Sequence, residues 1–131
     1  MEPKKTFCKG YAEGYIPFQQ LQWLCEQLEY VRRNNYLAII FSHQILGDIH
    51  YPYGVSNAVE VQRVIESYSD VVPVAFHGHL HDNAVQRQNG VTYVSVRRWI
   101  VALSADWLLV EVFSDNSIKV TGHGAALSLN I

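Results

Sequence analysis

The 131-residue chain has only two cysteines, Cys8 and Cys25. Their spacing matches no Cys-x-x-Cys metal motif, and a single pair builds no disulfide framework. Cys25, at an apolar helical position, reads as a small core residue, and Cys8 is uninformative. No basic excess is present: 10 Lys and Arg stand against 12 Asp and Glu, for a net charge of −2, so nothing draws the chain toward nucleic acid or an anionic membrane. No apolar run approaches the roughly 20 residues of a membrane-spanning helix. The start, Met1-Glu2-Pro3-Lys4-Lys5, lacks the apolar centre of a signal peptide, which makes a cytoplasmic location the expectation. Internal repeats and low-complexity segments are also missing.

What the sequence does have is a globular composition, 49% hydrophobic and 17% charged, in a length that suits one domain. It also has Phe76-His77-Gly78-His79-Leu80-His81-Asp82, with three imidazoles in five residues. Imidazole is the commonest metal ligand because a free nitrogen lone pair is available near neutral pH. A glycine beside it lets the backbone turn sharply or approach an ion closely. The preceding run, Val71-Val72-Pro73-Val74-Ala75-Phe76, has the length and β-branched content of a buried strand. The spacing therefore places Gly78-His79-Leu80-His81 on the loop leaving that strand's C-terminal end, where α/β folds gather ligands. With side chains alternating, His79 and His81 face one way and Leu80 the other, into the protein. His77 precedes the glycine and reads as a packing residue.

Residues 1–15 show no period and read as an N-terminal arm before a domain over 16–131. Apolar positions 21, 24, 25, 28 and 31 recur at helical spacing, with Pro17 near the start and Asn34-Asn35 as the stop. Tyr36-Leu37-Ala38-Ile39-Ile40-Phe41, apolar on both faces, reads as a buried parallel strand ending at Ser42-His43. Residues 44–55, with Gly47, Pro52 and Gly54, form a long loop. Asn57 and Glu60 have the spacing of a capping box for a helix that puts Ala58, Val61, Ile65 and Tyr68 on one face. The α-β-α-β order predicts neighbouring strands joined by helical crossovers. Gly90-Val91-Thr92-Tyr93-Val94-Ser95-Val96 and residues 107–113 read as strands, and a turn over 114–117 leads to a return strand over 118–121.

These elements resemble the C-terminal half of a calcineurin-like metallophosphoesterase. The likeness covers residues 16–123, and Gly78-His79-Leu80-His81 after a strand is its most specific part. It implies an α/β fold: half of a four-layer sandwich, with a mixed sheet, helical crossovers and a C-terminal β-hairpin. It further implies two divalent ions, Mn, Fe or Zn, about 3.5–4 Å apart, with His43 and His79 on one and His81 on the other. The activity implied is hydrolysis of a phosphomonoester, a phosphodiester or a nucleotide pyrophosphate by a metal-activated water. The family's earlier motifs, Asp-x-His, Gly-Asp-x-x-Asp and Gly-Asn-His-Asp/Glu, do not precede His43. Asp48-Ile49-His50 spells the first of them, but after His43 and in a loop, and reads as coincidence. A completing N-terminal segment or a homo-oligomer is thus the expected partner, beside a phosphorylated small molecule or nucleotide as substrate. The alternative is a noncatalytic metal- or protein-binding module on part of the same fold. Arg97-Arg98, Tyr51 and Tyr53 border a substrate site or lie solvated at strand ends, and His123 reads as an exposed tail residue.

Overall fold

The computed structural model describes residues 14–46, 54–97 and 105–131. Cys8, the loop residues Gly47, Asp48, His50, Tyr51, Pro52 and Tyr53, and Arg98 lie outside them. The described elements are α1 (Phe18–Arg33), β1 (Ile39–Ser42), α2 (Ala58–Glu66), β2 (Val74–His77), β3 (Ala84–Gln88), β4 (Val91–Ser95), β5 (Trp107–Val112), β6 (Ile118–His123) and β7 (Leu129–Asn130). They build two sheets, a four-stranded one in the order β1-β2-β4-β3 and a three-stranded one in the order β5-β6-β7. Strands β1, β2 and β4 run parallel, β3 is antiparallel to β4, and the second sheet is antiparallel throughout.

Side-chain alternation divides the larger sheet between two cores. Ala75, Val91 and Tyr93 join Leu21 and Leu28 of α1 and Ala58, Val61 and Ile65 of α2 in one apolar cluster. Val74, Phe76 and Val94, on the opposite face, pack on Ile118 and Val120 of the smaller sheet. The described layers are thus helices, mixed sheet, antiparallel sheet. Burial on both faces explains why β2 and β4 carry apolar residues on both sides of the sheet rather than on one.

Helix α1 follows the predicted stripe, with Leu21 and Leu28 buried, but Cys25 is only half-buried rather than a core residue. Its C-terminal end is pinned to the segment before β2. Arg32 donates from Nε to Asp70 Oδ2 at 2.7 Å and from Nη2 to the Ser67 carbonyl at 2.9 Å, and its guanidinium lies 4.3 Å from the Tyr68 ring centre. The hydrogen bond from Arg32 holds the Asp70 carboxyl below its ordinary range.

The capping box expected at Asn57 is not formed. The Asn57 side chain makes no cap hydrogen bond to the start of α2. Its Oδ1 accepts from the Ile16 amide at 3.1 Å and its Nδ2 donates to the Ile16 carbonyl at 2.8 Å, so it ties the segment before α1 to the start of α2. An amide offering a donor and an acceptor together satisfies a whole backbone unit, and here that pairing prevails over the local cap.

Strand β3 and the two-residue β7 escape the sequence pattern. The composition of β3, Ala-Val-Gln-Arg-Gln, suits a sheet edge. Its signal was the Asn89-Gly90 pair: with Gln88 opposite Val91, these two residues form the hairpin turn, and both have positive φ (47° and 86°). Asn-Gly is the pair that such a turn favours.

Candidate metal centre

Three parallel strands end side by side, and their register sets the site. Ser42 of β1 is opposite His77 of β2, which is opposite Ser95 of β4. The chain beyond β1 and the chain beyond β2 therefore leave the sheet as neighbours. The Gly78 amide donates to the His43 carbonyl at 3.2 Å, carrying the ladder one step past both strands. A Cβ built on Gly78 would stand 3.5 Å from His43 Nδ1, an ordinary contact, so this position has room for a side chain.

The histidine loop then turns tightly. Leu80 donates to the Gly78 carbonyl at 2.7 Å, closing a three-residue turn centred on His79, where φ is +61°. His81 also has positive φ, +62°. Two non-glycine residues in the left-handed region within three positions are costly, of the order of 1–3 kcal/mol each, and such strain concentrates at functional sites. The outcome is that His79 meets His43: their ring centroids are 5.4 Å apart with planes at 82°. His79 is half-buried and His43 exposed. Loss of hydration, then the neighbouring His43 and His81, push the His79 pKa below its ordinary 6.5. Its ring is accordingly neutral at pH 7, the form in which imidazole donates to a metal.

Of the three predicted ligands, the fold brings His43 and His79 together. His81 is exposed on the same loop, near enough to act electrostatically on His79. Among the described residues, no group of three or more His, Cys, Asp or Glu side chains stands close enough to hold an ion. The pair fits part of a metal's donor set: two nitrogen donors side by side, one with its charged form disfavoured. The carboxylates that would balance a dication are not among the described residues near it.

The other described histidines, His77 and His123, separate as packing residues. His77 is buried beneath the loop and packs as expected, with its Nδ1 3.1 Å from Ser95 Oγ. It lines a cavity of about 230 Å³ with Ile45, Leu80, Ala84, Gln86 and Tyr93. Leu80 thus reaches inward between the two outward histidines and anchors the loop. His123 is not an exposed tail residue: it ends β6, is half-buried, and stacks on its cross-strand partner Trp107 at 3.7 Å and 3°. Arg97 is committed to Asp106, whose carboxylate is 1% exposed, with Nε 3.2 Å from Oδ2. Asp106 Oδ1 accepts from the Ala125 amide at 2.9 Å, so this acid organises the turn after β6. No periodicity marks a lone buried acid, and sequence reasoning passed over it.

The fold has counterparts among solved structures. The chain superposes on a dimetal phosphatase from Danio rerio with a TM-score of 0.79 and 23% identity, over 88% of this chain and 38% of that one. Zinc-complexed Vps29 from Entamoeba histolytica gives a TM-score of 0.42 and 19% identity, over 71% of this chain and 53% of the other. No protein-family model and no curated protein matches the sequence. No described helix is long and apolar enough to cross a membrane. The architecture expected from the sequence is therefore present: over 38% of the length of the Danio rerio phosphatase, this chain has the calcineurin-like metallophosphoesterase fold.

Proposed function

We propose that this chain supplies the imidazole side of a divalent-metal centre used to hydrolyse a phosphate ester or a nucleotide pyrophosphate. The observation that carries this reading is the meeting of His43 and His79, ring centroids 5.4 Å apart, beyond adjacent parallel strands. His43 and His79 would hold one ion and His81 would contribute to a second. When bound, a pair of Mn, Fe or Zn ions supplies Lewis-acid charge at phosphorus and a hydroxide at neutral pH. The chain's own contribution is to fix the donors: the Gly78–His43 backbone bond sets the spacing, the turn at His79 aims the ring, and Leu80 holds the loop to the core. The likeness to a dimetal phosphatase supports the reading at the level of the fold. A completing polypeptide segment or a second copy of the chain would bring the carboxylates that three imidazoles need beside them to balance two dications.

A second reading, a noncatalytic metal-binding module, is favoured by one observation, that no three-donor cluster forms among the described residues. One experiment separates the readings. The chain is purified with Mn, Fe and Zn in the medium, its metal content is measured, and nitrophenyl phosphodiester hydrolysis is assayed with added Mn. Bound metal that is lost in both His43→Ala and His79→Ala, with hydrolysis lost in parallel, is the expected result. Metal without hydrolysis supports the module, and bound metal that survives both His43→Ala and His79→Ala contradicts both.

A further inference from the structure

The histidine loop is held at its two ends by different means. Where it leaves β2, the Gly78 amide donates to the His43 carbonyl, and the Val96 amide donates to the His77 carbonyl at 2.8 Å. The sheet order β1-β2-β4-β3 makes residues 78–83 cross the end of β4 to reach β3, where Ala84 stands opposite Ser95. His81 lies toward this second end.

There the chain is tied to the smaller sheet. Asn83, which precedes β3, donates from Nδ2 to the Ala125 carbonyl at 2.7 Å. The amide of the same Ala125 donates to Oδ1 of Asp106, which precedes β5. Ala125 is thus gripped through both of its backbone groups. Asp106 is fixed in turn: its side chain is 1% exposed, and Arg97, just past the end of β4, brings Nε within 3.2 Å of Oδ2. The turn closes directly on this carboxylate. Gly124 has a φ of +70°, and a Cβ there would run into Asp106 Oδ1 and stand 2.9 Å from the Ala105 carbonyl oxygen.

A circuit results, from the end of β4 through Arg97, Asp106, Ala125 and Asn83 back to the loop that crosses β4. Burying a carboxylate is costly unless it is paired and hydrogen-bonded, and packing alone asks for no charge at this position. Asn83 also gives something up for the contact, because its Oδ1 is buried without a hydrogen-bond partner among the described residues. The donation from Nδ2 is what accounts for its place. We infer that Asp106 is a positioning residue for the histidine loop: acting through Ala125 and Asn83, it fixes the end of the loop that carries His81. The backbone bond between Gly78 and His43 anchors the His43–His79 pair, and Asp106 anchors His81. The consequence for metal binding rests on the proposed metal centre, whereas the clamp itself does not.

The test is backbone ¹⁵N relaxation of the full chain, free of metal, followed by a Zn titration read at the imidazole ¹⁵N resonances. Wild type, Asn83→Ala, Asp106→Ala and the double variant are compared. Order parameters of His81 and Asp82 are expected near about 0.85 in wild type and below about 0.6 in each single variant, with Gly78 and Val96 unchanged. The double variant is expected to be no looser than Asp106→Ala, because both substitutions cut one linkage. In the titration His81 is expected to need roughly tenfold more Zn in each variant, the effect of losing a group that orients a ligand, while His43 and His79 respond as in wild type. A protein that is only less stable would move all three together. Asn83 is partly exposed, so Asn83→Ala decides the matter where loss of the buried acid prevents folding. Wild-type order in Asn83→Ala, a double variant looser than either single one, or a weakening shared equally by His43, His79 and His81 overturns the inference. Wild-type imidazoles that ignore Zn contradict the metal centre and not the clamp, which the metal-free order parameters then decide alone.

Discussion

Gly122→Val is expected to destabilise the protein by about 3 kcal/mol, the upper end of ordinary overpacking. Gly122 lies in β6 opposite Leu108, and the chain turns back over it to form β7. A Cβ at this position would run into the carbonyl oxygens of Ala126 and Leu127, well inside van der Waals contact. These are backbone atoms that no rotamer change can move aside. The Gly122 amide also donates to Ser128 Oγ at 2.9 Å, which holds the returning segment close. The damage would spread to the site, because Ile118 and Val120 of the same strand pack beneath Phe76 and Val94, and β2 leads straight into the histidine loop. Thermal unfolding is the measurement, with a fall in midpoint of roughly 10 °C, most of it already present in Gly122→Ala. Wild-type midpoints for both variants would show that the turn relaxes freely.

His79→Ala is expected to weaken metal binding by on the order of 100-fold or more, since even partners that only orient a ligand contribute 10–100-fold. His79 is the better donor of the close pair: it is the less exposed ring, and its protonation is opposed by lost hydration and then by His43 and His81. The same depression predicts two pH effects. Folded protein binds fewer protons at His79 than unfolded protein does, so the stability linked to this ring is complete above pH 6.5 and is lost as the pH falls through the lowered folded value. Metal affinity should hold past the ordinary imidazole pKa as the pH falls and drop only below it. Titration of the chain with Zn at successive pH values measures both the affinity and its midpoint. An affinity unchanged in His79→Ala, or one that falls already above pH 7, would remove this ring from the donor set.

The histidine loop was legible because its chemistry is written in consecutive residues and it follows a strand whose two-sided burial makes it apolar throughout. His43 was legible for the same reason, at the end of Ile39-Ile40-Phe41-Ser42. That the two rings would meet followed from topology: consecutive strands joined through a helix become parallel neighbours, and their C-terminal ends coincide. The turn that makes them meet was not legible, because alternation carries no hint that His79 and His81 would both take positive φ. Strand β3 was hidden by its polar edge composition, although Asn89-Gly90 marked its turn. Asn57 stands at the N-cap of α2 as expected, but its side chain pairs with Ile16 instead of capping, because local spacing cannot weigh a partner 41 residues away. His123 was misread because a stacking partner on another strand leaves no trace in the residues around it.

The central claim is that His43, His79 and His81 act together on a metal while the other described histidines only pack. Imidazole ¹⁵N resonances followed during a Zn titration test it directly, with single His→Gln variants for assignment. The signals of His43, His79 and His81 are expected to shift at the same Zn equivalence, while His77, held by Ser95, and His123, stacked on Trp107, stay in place. Resonances of His43 and His79 that do not move, or a shift led by His123, would contradict it.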